Sequence, residues 1–297
     1  MPRCACIDIG SNTTRLLVAA DDGSRLHELF AERVFTRLGA ACGRDGEIES
    51  VKVAEVASVV ARQVRIAHEL RSTALRVVAT AAVRQAANGP VLAAAIDAAC
   101  GATLEILTSE EEARLAFAGA VGMLAHPPPG SLGVVDVGGG STELVVGTAA
   151  GGVTWSVSLP VGSSVVTDTD LLTDPPSPAE LARLRRKLAD VFAGVQVPRP
   201  TTAYAVGGSA TSLQRLVGGV LEREALARGL QALVTRPAVE IAVRLGLHPE
   251  RARLLPAGIL LLDAASRALQ AQLQLAGGGL REGVVLEQLA RLRAEQA

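Results

Sequence analysis

Asp8-Ile9-Gly10-Ser11-Asn12-Thr13-Thr14-Arg15-Leu16 and Asp136-Val137-Gly138-Gly139-Gly140-Ser141-Thr142-Glu143-Leu144 are two versions of one pattern. In each, an apolar run ends on Asp, a Gly turn and hydroxyl residues follow, and a second apolar run begins. Arg15-Leu16-Leu17-Val18 aligns without a gap on Glu143-Leu144-Val145-Val146, so the whole block recurs at one offset of 128 residues. A repeat of that period predicts a duplicated domain, each copy opening on a strand–turn–strand hairpin. One such turn alone reads equally as a tight hairpin with an Asx-turn. Two at matched spacing favour a second reading. Each would offer a carboxylate, backbone N–H groups that Gly leaves accessible, and hydroxyl donors, a set suited to a metal-bound phosphate.

Working outward, the first copy continues with strands at about 4–9, 14–20 and 26–34 and a polar loop from Gly39 to Gly46. A helix is expected from about Ser50 to Leu70, because Val53, Val56, Val60, Val64 and Ala67 recur at spacings of three and four. A strand at 75–79, helices to about Cys100 and a strand at 103–107 come next. The helix from Ser109 to about Leu124 is expected to open on a Ser109/Glu112 capping box. Pro127-Pro128-Pro129 can join neither helix nor sheet ladder, and this break immediately precedes the second copy. Strands at about 132–137, 143–147 and 153–159 repeat the opening order. A helix to about Val195, a strand at 202–206, a mostly helical stretch to about Leu269, a strand at 272–276 and a final helix from about Arg281 follow. The predicted fold class is α/β, with domains at 1–125 and 126–297 and a final helix free to return to the first.

The 297 residues suffice for two cores, and with only 2% aromatic residues Ala, Val and Leu must fill them. A net charge of −1 gives no whole-molecule field for nucleic acid or an anionic membrane, so a polyanion must be met by local groups. Cys4, Cys6, Cys42 and Cys100 lack zinc-knuckle spacing and read as buried, reduced thiols of a cytoplasmic protein. The N-terminus enters its first strand without a signal-peptide pattern, and no apolar run approaches bilayer-spanning length. The four histidines show no ligand spacing.

Within the repeated turns the residue types point to specific chemistry. Asp8 and Asp136 end buried strands, where a carboxylate needs a metal or several hydrogen bonds. Gly138-Gly139-Gly140 leads into a strand bearing Glu143 rather than a helix, so it is not a dinucleotide fingerprint. Where the copies differ, Arg15 stands for Glu143, so one side supplies a phosphate clamp and the other a second carboxylate. Hard oxygen donors imply Mg²⁺, with Mn²⁺ as the alternative. Elsewhere, Arg84 lies one turn into a helix begun at Thr80, either as a surface residue or as a fork onto phosphate. Of Glu110, Glu111 and Glu112, the first two read as complements to the helix dipole. Glu112 shares a face with Leu115, Ala116 and Gly119 and is the candidate general base. Gly207-Gly208-Ser209, between a strand and a helix, is a further phosphate-binding shape. Gly277-Gly278-Gly279 before Arg281 has the same look, or is simply a flexible turn.

Taken together these segments resemble the exopolyphosphatase/guanosine pentaphosphate phosphohydrolase (Ppx/GppA) family, in a short form without the C-terminal HD-type domain of longer members. Asp8 to Leu16 resembles its D-[IL]-G-[ST]-N-[ST]-x-R-L opening, and Thr80 to Asn88 its T-x-A-x-R-x-A-x-N segment. Asp136 to Leu144 resembles its D-I-G-G-G-S-T-E-L block, and Arg281-Glu282-Gly283 its L-R-E-G signature. The resemblance implies a duplicated ribonuclease-H-like fold of the actin, Hsp70 and sugar-kinase superfamily, with an interdomain cleft on which both turns converge. It implies Glu112 as the catalytic glutamate and Asp136 and Glu143 as the metal-associated carboxylates, to which the reading of the repeated turns adds Asp8. Ser11, Asn12, Thr13, Arg84, Gly139, Ser141, Gly208 and Ser209 match positions that would line the phosphate path, and the reading of the two turns adds Arg15, Gly138 and Gly140.

The implied activity is Mg²⁺-dependent release of terminal orthophosphate from inorganic polyphosphate, with guanosine pentaphosphate as the alternative substrate and a homodimer as the expected assembly. A non-hydrolytic polyphosphate or alarmone sensor and an ATP-dependent sugar kinase are the competing readings. Three features depart from the family pattern: Thr108-Ser109 replaces Ser-Gly, Val165 stands where Arg is usual, and the chain ends soon after the phosphatase module.

Overall fold

The computed structural model of the chain describes residues 2–23, 25–41 and 46–295. Cys42 and the rest of 42–45 in the expected polar loop lie outside the described residues. Two compact units result: Met1–Met123 with Gly278–Ala297, and Leu124–Gly277.

In the first unit, β1 (Arg3–Ile9), β2 (Thr14–Asp21) and β3 (Leu26–Val34) form a meander, followed by α1 (Ser50–Glu69). Then come β4 (Ala74–Ala79), α2 (Ala81–Gln85), α3 (Gly89–Cys100), β5 (Leu104–Ile106) and α4 (Ser109–Gly122). The sheet order is β3-β2-β1-β4-β5, with β1 antiparallel to β2 and parallel to β4. In β1 every residue after Arg3 is buried, as a central strand covered on both faces requires. Successive side chains take opposite faces: Ala5, Ile7 and Ile9 join the core under α1 and α3, and Cys4 and Cys6 join a second core with Leu115 of α4. All five apolar positions expected to bury α1, Val53 through Ala67, are buried.

The second unit repeats the plan. It holds β6 (Leu132–Val137), β7 (Thr142–Thr148), β8 (Gly152–Leu159), α5 (Ser163–Asp170), α6 (Pro178–Ala193), β9 (Thr202–Val206) and α7 (Gly207–Val217). After these come β10 (Val220–Leu221), α8 (Arg223–Leu233), α9 (Ala238–Leu245), α10 (Pro249–Leu269) and β11 (Leu273–Leu275). Read from β8, the order is β8-β7-β6-β9-β11, with β10 added at the edge. The first five strands reproduce the first sheet's order and directions.

The duplication extends to an irregularity. The register slips between Val18 and Ala19 in β2 and between Val146 and Gly147 in β7, again 128 residues apart. A bulge increases local twist and bends its strand, so both meanders carry the same bend at the same place. Two such sheets make the duplicated ribonuclease-H-like fold.

The last helix, α11 (Leu280–Ala294), belongs to the first unit and packs on α4 and β1. Val284, Val285 and Leu289 complete the core that holds Cys4 and Cys6. Glycine makes this packing close: a Cβ on Gly119 would lie 1.9 Å from the Gly279 carbonyl oxygen, and one on Gly283 would lie 1.9 Å from that of Leu115. Burial pushes the Cys4 thiol up to about 11 and the Cys6 thiol upward as well.

Helix α5 is absent from the sequence reading. Its Ser-Ser-Val-Val-Thr start is poor in helix formers, but the loop after β6 supplies partners. The N–H groups of Ser163 and Ser164 donate to the carbonyls of Gly138 and Gly139 at 2.9 and 3.0 Å, and that of Val165 donates to Gly139 at 3.1 Å. Tertiary hydrogen bonds override propensity there.

Candidate active site

Both repeated turns close in the same way. Gly10 N–H donates to the Thr13 carbonyl at 3.0 Å, and Gly138 N–H donates to the Ser141 carbonyl at 3.0 Å. In each hairpin the Asp sits directly opposite the residue where the copies differ: Asp8 faces Arg15, and Asp136 faces Glu143.

In the first unit, Arg15 donates through Nη2 to Asp8 Oδ2 at 3.2 Å. Asp8 Oδ1 and Asn12 Nδ2 are buried and have no hydrogen bond among the described residues. Orphaned atoms of that kind are costly unless a ligand or water completes them. The chain leaving β3 braces the turn: Arg37 N–H donates to the Asn12 carbonyl at 2.9 Å and Gly39 N–H to the Ser11 carbonyl at 2.8 Å. Ser11, Asn12 and Thr13 are all buried, as residues of a tightly held loop.

Glu112 is buried at the head of α4, and its Oε2 accepts from Arg84 Nη1 at 2.9 Å. The same guanidinium nitrogen donates to the Leu107 carbonyl at 2.8 Å, so Arg84 ties the end of β5 to the glutamate. Arg84 is thus a partner of Glu112, an assignment the sequence alone did not make. The cap of α4 also corrects the sequence reading. Thr108, not Ser109, is the N-cap, and Glu111, not Glu112, reaches back to it. Glu111 Oε2 accepts from Thr108 N–H at 2.8 Å, and Thr108 Oγ1 accepts from Glu111 N–H at 3.1 Å. The shift of one residue has a chemical consequence. Glu111 takes the capping duty, and Glu112 turns to the inner face with Leu115 and Ala116.

In the second unit, Asp136 and Glu143 are two carboxylates opposite each other across β6 and β7, an arrangement that like charges disfavour. Ser158 of β8, opposite Glu143, donates through Oγ to Glu143 Oε1 at 2.8 Å. Behind Asp136 the chain favours glycine: Gly207 has φ +81°, and a Cβ there would lie 2.3 Å from Asp136 Oδ1. The expected turn before α7 is shorter than predicted, since the helix begins at Gly207 itself. Gly208 lies against the buried guanidinium of Arg251, where a Cβ would come within 2.7 Å of Nη2. Ser209 is buried and donates from Oγ to the Val137 carbonyl at 3.3 Å. Gly138, Gly139, Gly140 and Ser141 form the loop that receives the head of α5. Gly162 passes so near that a Cβ would sit 2.3 Å from the Gly139 carbonyl oxygen. Ser164 Oγ is buried there without a hydrogen bond among the described residues.

Arg251, Ser158 and Ser164 escaped the sequence reading. For Arg251 a signal existed: it shares the apolar stripe of α10 with Leu255 and Gly258, four and seven residues on, where an arginine needs a reason.

Among the described residues no cluster of three or more His, Cys, Asp or Glu side chains is placed to hold a metal. The Asp136–Glu143 pair still fits a hard divalent cation. Mg²⁺ is commonly held by one or two carboxylates and completes its shell with water and substrate phosphate. No helix among the described residues is long and apolar enough to cross a membrane.

Comparison with known proteins matches the chain to one family. The model of the Ppx/GppA phosphatase family matches residues 16–292. Exopolyphosphatase 2 of Mycobacterium tuberculosis is 30% identical over 300 residues, an alignment covering 91% of this chain and 92% of that protein. The crystal structure of the Aquifex aeolicus member of the Ppx/GppA family is 28% identical and superposes with a TM-score of 0.83 over 98% of each chain. An exopolyphosphatase structure from Cytophaga hutchinsonii, 21% identical, shares the fold with a TM-score of 0.87 over 97% of this chain and 98% of its own.

Proposed function

The chain belongs to the Ppx/GppA phosphatase family, and we propose that it is an exopolyphosphatase releasing terminal orthophosphate from inorganic polyphosphate. The observation that carries the reading is the pair Glu112–Arg84, a buried carboxylate freed from capping and oriented by a guanidinium.

In the proposed reaction Glu112 accepts a proton from water as the water oxygen attacks the terminal phosphorus. The P–O bond to the next phosphate breaks, and the shortened chain leaves with that oxygen. Arg84 fixes the rotamer of Glu112 and offers its remaining N–H groups to phosphate oxygens. In the first unit the N–H groups and hydroxyls of Ser11 to Thr13, and in the second those of Gly138 to Ser141 with Gly208 and Ser209, are the groups suited to donate to phosphate oxygens. Asp136 and Glu143 would hold Mg²⁺ or Mn²⁺, which when bound neutralises charge on the phosphoryl oxygens. Gly207 and Ser158 keep those two carboxylates in place from opposite sides.

The test is orthophosphate release with polyphosphate and guanosine pentaphosphate side by side in Mg²⁺. Polyphosphate should be the better substrate by kcat/KM, and Glu112→Gln should lower kcat by about 10²-fold or more with KM little changed. Preference for guanosine pentaphosphate would replace the substrate. Near-normal turnover in the variant would take the general-base role from Glu112.

A further inference from the structure

The first unit's sheet carries a row of charge that the reaction as described does not use in full. Asp8 is paired with Arg15 in the register of β1 and β2, and Arg15 with Arg33 in that of β2 and β3. Directly opposite residues of antiparallel strands share a face. Asp8, Arg15 and Arg33 therefore stand side by side across three strands. Cys6 and Leu17, two residues from Asp8 and Arg15, pack in the core beneath α11, which places the row on the α11 side of the sheet. Arg281, in the first turn of α11, directs Nη1 at the Leu16 carbonyl, 3.4 Å away.

Three guanidinium groups thus gather, with Asp8 and Glu282 beside them. Arg15 is bonded to Asp8, and Arg281 lies 3.5 Å from Glu282. Arg33 has no ion pair among the described residues. Arg33 stays exposed to solvent on its edge strand, yet partial desolvation of its guanidinium and the nearby charges of Arg15 and Arg281 lower its pKa to about 10. That of Arg281 falls as well, by burial and the charge of Arg15, against the opposing pull of Glu282 and Asp8. A folded chain that holds like charges together stores an electrostatic cost that a bound anion relieves, which is how binding sites are commonly built.

We propose that Arg15, Arg281 and Arg33 form one subsite for phosphate groups that follow the cleaved one, and that Arg33, at the far end of the row, sets the preference for longer chains. The proposal rests on the exopolyphosphatase reading. Asp8 and Arg15 sit at the phosphate turn itself, and Arg33 stands two strands away from Asp8, about 10 Å at ordinary strand spacing. A short substrate held at the turn would not need Arg33, whereas a longer chain running along the row would meet it. Arginine suits the task because its planar fork engages phosphate oxygens two at a time.

The experiment compares wild type, Arg33→Gln and Arg33→Lys on long-chain inorganic polyphosphate and on tripolyphosphate. The ratio of kcat/KM for the long chain over tripolyphosphate should fall about tenfold in Arg33→Gln, through KM rather than kcat. Arg33→Lys, which keeps the charge without the fork, should recover part of it. Calorimetric titration of long-chain polyphosphate without divalent cation should show the same order, with the variant's affinity less sensitive to salt. An unchanged ratio together with unchanged affinity would overturn the proposal. Absence of phosphate release from both substrates in the wild type would overturn the exopolyphosphatase reading on its own, and the titration would still decide the subsite.

Discussion

Gly207→Ala tests the second unit's carboxylates through a residue that bears no chemistry. The added Cβ would start 2.3 Å from Asp136 Oδ1, whereas real Cβ contacts are essentially never under 3.0 Å. Something must therefore give by roughly 0.7 Å, the scale on which misplacement of a reacting group can cost about 10²-fold in rate. The backbone is not free to yield. Asp136 lies inside β6, and Val206, next to Gly207, is its partner in β9. The carboxylate is what moves. The φ of +81° adds strain of about 1–2 kcal/mol for any L side chain, or a loss of roughly 2–8 °C in Tm. Thermal melts followed by circular dichroism measure the second effect, and orthophosphate release across a Mg²⁺ titration measures the first. The expected result is a modest loss of Tm, a fall in turnover of about 10–10²-fold, and a higher Mg²⁺ requirement. A variant that melts lower but keeps full turnover at wild-type Mg²⁺ would show that the position of Asp136 does not matter to the reaction.

Two further outcomes test the frame around the site. Gly283→Ala would drive a Cβ to 1.9 Å from the Leu115 carbonyl oxygen and separate α11 from α4. We expect a loss of about 1–3 kcal/mol in chemical denaturation, with reduced turnover because α4 carries Glu112. Unchanged stability would mean that the helices are not in backbone contact. In the second unit, hydrogen bonds from the Thr173 and Ser177 side chains, then from the Ser177 backbone, lower the pKa of Glu180 to about 2. A lowered folded-state pKa contributes stability above the ordinary carboxylate range, and that stability is lost as pH falls through about 4.5 towards 2. The Tm gap between wild type and Glu180→Gln should be widest near neutral pH and close towards pH 2. A gap independent of pH would refute the assignment.

The elements legible in the sequence were those whose cause is local. Period-two apolar runs and Gly turns gave both meanders, and the three-four spacing of Val53 to Ala67 gave α1. The α4 cap was legible only to within one residue. Thr108/Glu111 and Ser109/Glu112 both satisfy the capping-box spacing, and three successive glutamates leave the pattern indifferent between them. Packing against α11 chooses, because Leu115 and Gly119 must face the helix that Gly283 allows so near. Helix α5 was illegible because its stabilising partners are carbonyls of Gly138 and Gly139, more than twenty residues earlier. Arg33 was illegible for a similar reason. On an edge strand with alternating exposure it reads as a solvated residue, and only cross-strand register brings it beside Arg15.

Register also explains how one duplicated turn yields two different electrostatic settings. The position opposite the Asp is the closest neighbour a side chain has in a hairpin, so its identity decides what the Asp can do. With Arg15 there, Asp8 has one oxygen engaged by a cation, and the first turn gains a guanidinium at the head of a basic row. With Glu143 there, Asp136 gains a second negative group, and the second turn holds a charge pair that apolar packing alone would expel. Such a pair persists when hydrogen bonds and a cation compensate it. Ser158 supplies one of those hydrogen bonds, and Gly207 leaves the space in which the Asp136 carboxylate lies. The turn backbone is common to both, since the Gly10–Thr13 and Gly138–Ser141 hydrogen bonds are the same length. The residue opposite the Asp is therefore what sets a cation beside the carboxylate of one hairpin and a second carboxylate beside that of the other.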